Sequence, residues 1–306
     1  MDIILSVNQL SKQIRGQTAL ACATFSVREG SVHGILGVNG SGKTTLLRIM
    51  AGLYRPDGGE IAWMDRPVIP WKEPAWRSQV AWVDPTVSLP ARWALKEWET
   101  YGARMYERWD GHRFRNLLRG LDLPMDQGVH RFSLGMRMRA KLAFALATRP
   151  RLLLLDEPTT GLDPIVRRQV WQWLVGEAAE SGAALLVATH AIDDVERLAD
   201  SLTVLYRGRS VWSGQLDEAK ERFVKLVVRP EGRAALDALE DVLGWERDGG
   251  GSFSAMVERD RLDDALGRLR AAGIHQVVIQ ERLPLDDWFR LLMQKEGCAR
   301  DPGENA

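Results

Sequence analysis

Apolar and polar positions alternate over residues 3–10 and 23–27, which predicts two short strands, each with one buried face. Residues 31–36 predict another strand, which runs into a glycine-rich stretch. A helical spacing over 44–51 follows and is closed by Gly52. Further strands are predicted at 58–63, after a Pro/Asp/Gly turn, and at 80–83, which ends at Asp84-Pro85. The pattern over 93–121 is mostly helical and rich in Trp and Arg, and 135–148 reads as a helix that stops before Pro150. A fully apolar strand at 152–155, a helix at 164–181, a strand at 184–189 and a helix at 193–199 complete an alternating α/β run. Residues 203–206 and 210–212 predict a hairpin across Arg207-Gly208-Arg209.

The order changes after a boundary near 215–222. Strand (223–229), helix (234–243), strand around Trp245, a loop at 249–251, strand (253–258), helix (261–272), strand (276–280) and helix (285–295) follow one another. That βαββαβ order predicts a small α+β, ferredoxin-like domain over 223–296 with one extra helix. The polar tail 297–306 is expected to fray.

A chain of 306 residues is long enough for two ordinary domains. Lys+Arg and Asp+Glu balance at 41 each, so no basic surplus points to nucleic acid, and none is expected as a partner. The longest apolar runs fall well short of the ~20 residues that span a bilayer. The start lacks a basic segment and a cleavage site, so no secretory leader is expected. Cys22 and Cys298 show no metal-ligand spacing and read as free thiols in a reducing cytosol.

The chemistry concentrates in two places. Gly37-Val38-Asn39-Gly40-Ser41-Gly42-Lys43-Thr44-Thr45 contains the spacing of a phosphate-cradling loop between a strand and a helix. Glycine lets backbone N–H groups converge on phosphate oxygens without Cβ clashes, and the helix turns its N-terminus to the same anion. Gly37, Asn39, Gly40, Ser41, Gly42, Lys43, Thr44 and Thr45 are therefore candidate nucleotide-binding residues. Lys43 reaches for the β- and γ-phosphates and the Thr44 hydroxyl is a ligand for Mg²⁺. Asp156-Glu157 ends the apolar strand at 152–155, at the edge where open α/β sheets bind ligands. Asp156 is the candidate to hold Mg²⁺ through water, and Glu157 to orient or deprotonate the attacking water. Taken alone, an acidic strand end is common; a phosphate loop ahead of it changes its weight.

Five motifs in fixed order carry a resemblance. The phosphate loop, Phe132-Ser133-Leu134-Gly135-Met136, Asp156-Glu157-Pro158, Thr160-Gly161-Leu162-Asp163 and Thr189-His190 resemble the Walker A, signature, Walker B, D-loop and H-loop of ABC transporter ATPases. The resemblance covers about 3–216, and the Ser-x-Gly-Met form is most similar to the bacterial export-type branch. It implies a P-loop core with antiparallel β and helical subdomains over 1–216, the helical part at about 86–148. It also implies Mg-ATP hydrolysis coupled to a separate integral membrane permease, on the cytoplasmic face of the membrane. Two copies are implied to sandwich ATP head to tail, with Ser133 and Gly135 at a helix N-terminus completing the site in trans. Asp163 is implied to make contacts across the dimer, and His190 to contact the γ-phosphate and hold the water. Pro284-Leu285-Asp286-Asp287-Trp288-Phe289 also resembles the C-terminal extension of that branch.

The pattern departs from the family in three places. Ile14 falls where an aromatic often stacks on adenine, which removes the ring-stacking contribution. Asp84 stands where Gln usually meets Mg²⁺ and water; it is a candidate metal ligand and catalytic residue that adds negative charge beside Asp156 and Glu157. Leu134 replaces the first of two signature glycines. Trp71, Trp76, Trp82, Trp93, Trp98 and Trp109 crowd the region where the family meets its membrane subunit. For any one of them internal packing is the simpler reading; Trp93, Trp98 and Arg104 are the candidates for a docking groove. The rival functions are a non-transport ABC ATPase acting on another macromolecule, and a module that holds ATP without turning it over. The C-terminal order leaves dimerisation, regulation and ligand sensing open.

Overall fold

The computed structural model describes residues 2–84, 86, 90, 92–229, 243–247 and 252–295. The chain divides into two compact units, Met1–Ser213 and Gly214–Ala306.

The first unit runs β1 (Ile3–Ile14), β2 (Gln17–Arg28), β3 (Val32–Leu36), α1 (Lys43–Met50), β4 (Gly58–Trp63), β5 (Arg66–Pro67), α2 (Pro74–Arg77) and β6 (Val80–Val83). It continues with α3 (Leu95–Met105), α4 (Gly111–Gly120), α5 (Leu134–Ala147), β7 (Leu152–Asp156), α6 (Pro164–Ser181), β8 (Ala184–Thr189), α7 (Ile192–Leu198), β9 (Ser201–Tyr206) and β10 (Arg209–Gln215). The strands form one sheet in the order β5-β4-β1-β2-β10-β9-β3-β8-β7-β6. β3, β7 and β8 are buried along their whole length and pair in parallel with neighbours. A strand covered on both faces reads as a continuous apolar run, as 152–155 and 184–188 do, while β3 carries the buried His33. The core forms where Leu46, Leu47, Ile49 and Met50 of α1 pack against β1, β2, β3, β7 and β8.

β1 and β2 are longer than the alternation predicts, at 12 residues each. They meet in a two-residue turn in which Arg15 and Gly16 both have positive φ, at 52° and 80°. Among the added residues, Ser11 to Gln13, Gln17 and Thr18 are polar and carry no hydrophobic period, although Leu20 is fully buried. The predicted hairpin between β9 and β10 turns in the same way, with Arg207 at 46° and Gly208 at 77°.

The helical stretch after residue 92 is two helices rather than one run. Trp109 folds back between them: a Cβ on Gly102 of α3 would lie 2.6 Å from its ring. Asp110 then caps α4 by accepting from the Arg113 N–H at 2.8 Å. Phe144 of α5 anchors this region, with the rings of Trp98, Tyr101, Tyr106, Trp109 and Phe114 around it at 4.9–6.4 Å. Two of the six tryptophans are core, Trp76 and Trp98 at 2% and 1% exposed, while Trp71, Trp82, Trp93 and Trp109 are half-buried.

Periodicity did not single out His33 of β3. Its ring is fully buried, bonded to the Ser201 hydroxyl at 2.8 Å and the Thr203 hydroxyl at 2.9 Å, and stacked on Phe25. Burial pushes its pKa from 6.5 down to about 3.

In the second unit a short helix, Leu216–Glu221, occupies most of the stretch read as a boundary. A reciprocal cap starts it, with the Gln215 N–H donating to Glu218 Oε2 at 3.1 Å. β11 (Phe223–Val228), β12 (Leu243–Arg247), β13 (Phe253–Glu258) and β14 (Val277–Gln280) form an antiparallel sheet in the order β12-β13-β11-β14. That is the strand order a split βαβ pattern generates. Helices Leu262–Ala271 and Leu285–Lys295 match the predicted positions. Of the helix expected over 234–243, residues 234–242 lie outside the described residues, as do the loop at 249–251 and the tail 297–306; its last residue, Leu243, opens a strand instead.

Candidate nucleotide-binding and active site

β3 ends at Leu36, and residues 37–42 form a loop from which α1 springs at Lys43. Gly42 has φ +108°, and a Cβ there would lie 2.6 Å from the Ala19 carbonyl oxygen; only glycine fits both the conformation and the space. A Cβ on Gly37 would lie 2.5 Å from both the Leu205 carbonyl and Ser41 Oγ. Ser41 is itself buried and its hydroxyl has no partner. Asn39 and Gly40 stand exposed at the loop tip, and Thr45 is half-buried on α1. The Lys43 ammonium folds back over the loop, donating to the Gly37 carbonyl at 2.6 Å and the Val38 carbonyl at 3.3 Å.

β7 and β8 bring the acidic end of the site to this loop. Glu157 follows β7 with a left-handed φ of 46°, and its N–H donates to the Ala188 carbonyl at 2.8 Å. Its Oε1 lies 2.8 Å from His190 Nδ1 and 3.8 Å from the Lys43 ammonium. Its Oε2 accepts from the Thr160 and Thr189 hydroxyls, each at 3.2 Å. Burial pushes the Lys43 pKa down, against the opposing charges of Glu157 and Asp156. Burial pushes Asp156 up; the Thr44 hydroxyl and Lys43 work against the shift, while Asp84 and Glu157 add to it. Asp156 Oδ1 is buried without a hydrogen-bond partner. A buried carboxylate oxygen left without a donor, beside a threonine hydroxyl, is a chemical fit for a hard divalent cation.

Asp84 follows β6 and is buried. Its Oδ1 accepts from the Thr86 N–H and hydroxyl, each at 2.6 Å, and its backbone carbonyl accepts from the Lys141 ammonium at 3.1 Å. The site thus gathers Lys43, Thr44, Asp84, Asp156, Glu157 and His190.

Among the described residues, no hydrogen bond or ion pair joins Ser133, Gly135 or Asp163 to this cluster. Ser133 caps α5, accepting from the Met136 N–H at 3.2 Å. Gly135 is buried against α6, where a Cβ would meet Val166 at 2.9 Å. Asp163 caps α6, accepting from the N–H groups of Ile165 and Val166 at 3.1 and 3.0 Å.

Sequence reasoning assigned no role to three residues that matter here. Thr160 and Thr189 hold Glu157; they sat inside recognised motifs without a period or charge to mark them. Asp194 of α7 is buried, paired with Arg167 at 2.7 Å and accepting from the Thr159 hydroxyl at 3.1 Å. It ties α6 and the chain after Glu157 to α7, and only the fold brings these partners together.

Between α1, α2, β6, α3 and α5 lies a groove of about 420 Å³. Leu53, Trp82, Trp98, Tyr106, Lys141 and Phe144 are among its lining residues. Of the three candidates for a docking groove, Trp98 lines it while Trp93 and Arg104 do not; Trp93 packs beside Tyr101 at 6.0 Å.

A glycine loop at a helix N-terminus, a lysine turned over it and a carboxylate pair on a neighbouring parallel strand define a P-loop nucleotide-binding protein. Residues 20–160 match the family described as ABC transporter. The chain is 33% identical over 303 residues to the daunorubicin resistance ATP-binding protein DrrA3 of Streptomyces coeruleorubidus, covering 94% of this chain and 95% of that relative. It is 36% identical over 224 residues to the Nod factor export ATP-binding protein I of Ralstonia nicotianae, covering 70% and 68%. A solved structure of the ATP binding subunit of an ABC transporter superposes with a TM-score of 0.64 at 29% identity, covering 71% of this chain and 92% of that one. The chain belongs to the ABC transporter ATP-binding proteins. It is an ATPase of that family, whose members bind nucleotide and work with membrane permease components. Among the described residues, no helix is long and apolar enough to cross a membrane.

Proposed function

We propose that this chain binds and hydrolyses Mg-ATP to energise export through a separate membrane permease, which holds it at the cytoplasmic face. The observation that carries the reading is the joining of Lys43, Glu157 and His190 at 2.8–3.8 Å beside an Asp156 oxygen with no donor of its own. Thr44 and Asp156, with Asp84 near them, are the residues for Mg²⁺, which when bound neutralises charge on the β- and γ-phosphate oxygens. Lys43 exchanges the Gly37 and Val38 carbonyls for phosphate oxygens. Gly37, Asn39, Gly40, Ser41, Gly42, Thr44 and Thr45 surround the phosphates with loop and helix N-terminus. Glu157 takes a proton from the attacking water, and His190 fixes the carboxylate that does so.

Ser133 and Gly135 sit at the start of α5, and Asp163 at the start of α6. A second copy packed head to tail supplies these groups to the γ-phosphate end of the first. The exposed apolar residues Val38, Leu134 and Ile165 flank these three segments and suit such an interface. The groove beside Trp82 and Trp98 suits a permease helix. Export is favoured by the signature form and by relatives named for daunorubicin resistance and Nod factor export.

Glu157→Gln is expected to lower turnover by about 100-fold or more while leaving ATP binding intact. The variant then accumulates as an ATP-bound dimer, read by light scattering after gel filtration. Wild-type turnover in that variant would remove Glu157 from the role. Asp84→Gln is expected to change the Mg²⁺ dependence of the rate, and an unchanged dependence would exclude Asp84 as a ligand.

A further inference from the structure

The sheet of the second unit ends at β14, and among the described residues no strand pairs with its outer edge. Edge strands expose unpaired N–H and C=O groups, which proteins blunt with lysine, proline, bulges or short length. β14 is short, at four residues, but Gln276-Val277-Val278-Ile279-Gln280 contains neither lysine nor proline. Its register with β11 sets Val277 opposite Val228 and Ile279 opposite Leu226. Val228 and Leu226 belong to the buried core of this unit, so Val277 and Ile279 lie on the core-bearing face. Ile279 is nevertheless 40% exposed, and Val278 on the opposite face is 61% exposed. An apolar residue on the core face, open on its outer side, marks a place where the core stops without a cover.

We propose that β14 pairs antiparallel with β14 of a second copy of this chain, about a twofold axis through Val278, so that the two sheets become one. The sequence around that axis is self-complementary. Val277 faces Ile279, extending the core face across the junction, and Gln276 faces Gln280, amide to amide. The exposed His275 faces the exposed Glu281, imidazole to carboxylate, once on each side of the axis. Moving the axis by half a residue sets His275 against Arg282 and Val277 against Gln280. Moving it to Ile279 sets Val277 against Glu281. The pattern therefore specifies one register, and it specifies a copy of itself as the partner. This contact needs no nucleotide, which separates it from the ATP-dependent dimer proposed above.

Analytical ultracentrifugation of the full chain, free of nucleotide and Mg²⁺, tests the proposal. Wild type is expected to sediment as a dimer at concentrations where Val278→Lys, which sets two lysines face to face on the axis, is monomeric. The dissociation constant should rise by about tenfold or more. Val278 is exposed, so circular dichroism and ATP turnover of the variant should match wild type and show that it folds. Glu281→Lys should weaken the dimer, and adding His275→Glu should restore it by reversing the pair. Glu281 also lies 3.5 Å from Arg259, but an exposed pair of that kind is worth little. A monomeric wild type, a dimer that forms only with ATP, or a dimer indifferent to Val278→Lys would each overturn the proposal. So would a β14 edge that binds a permease segment and not a second copy.

Discussion

His33 shows how far a single residue can govern the response of the whole chain to acid. The unfolded chain takes up a proton near pH 6.5, whereas the folded ring, buried between Ser201, Thr203 and Phe25, resists it down to about pH 3. The unfolded state therefore binds more protons throughout that interval. His33 leaves stability intact above pH 6.5 and lowers it progressively as the pH falls toward about pH 3. Urea unfolding of wild type and His33→Gln between neutral pH and about pH 4 measures the difference in slope. The variant should be less stable at neutral pH, having lost a shape-matched partner for two hydroxyls, and should fall less steeply in acid. Equal slopes would mean that the ring accepts a proton in the folded state. Nothing in the sequence marked this residue, because one histidine in an apolar strand has no period and no neighbouring motif. Lys43, Asp156 and Glu157 were legible for the opposite reason: each sits at a fixed offset from glycines or from an apolar strand end.

At the scale of elements, α5 and α6 both begin on a side-chain cap, and both caps are also site candidates. Asp163 satisfies two N–H groups at the start of α6, at 3.1 and 3.0 Å. Asp163→Ala should cost about 1 kcal/mol of stability, and Asp163→Asn should restore most of it by keeping an acceptor. If Asp163 also acts across a dimer, Asp163→Asn should still impair ATP-dependent dimerisation while thermal unfolding stays near wild type. Gel filtration with ATP and a melting curve, run on both variants, separate the two roles. Most elements could be placed from periodicity because the parallel strands are continuous apolar runs. The hairpin of β1 and β2 was underestimated because Ser11 to Gln13, Gln17 and Thr18 next to its turn are polar and interrupt the apolar alternation. The break between α3 and α4 was not visible because it depends on Trp109 filling the space that Gly102 leaves, a contact between residues on different elements.

For the molecule as a whole, the ordered motifs implied a P-loop core, and the parallel strands around β3 and β7 place Lys43 beside Glu157. Strand order was beyond reach of the pattern: β10 and β9 lie between β2 and β3, and no local period encodes that insertion. The groove proposed for a permease helix was legible only by the tryptophan content of its surroundings. Which of those rings form core and which line the groove depends on how α3, α5 and β6 meet. That arrangement equips the protein with an optical reporter. Trp82 lines the groove and is half-buried, whereas Trp98 lines it with 1% exposure and is already shielded from water. An indole that loses water on binding emits further to the blue, and one that is already dry does not change. Addition of the permease should therefore shift the intrinsic emission to shorter wavelength, an effect abolished in Trp82→Phe and preserved in Trp98→Phe. Docking would then be followed by the protein's own light, without a label on either partner.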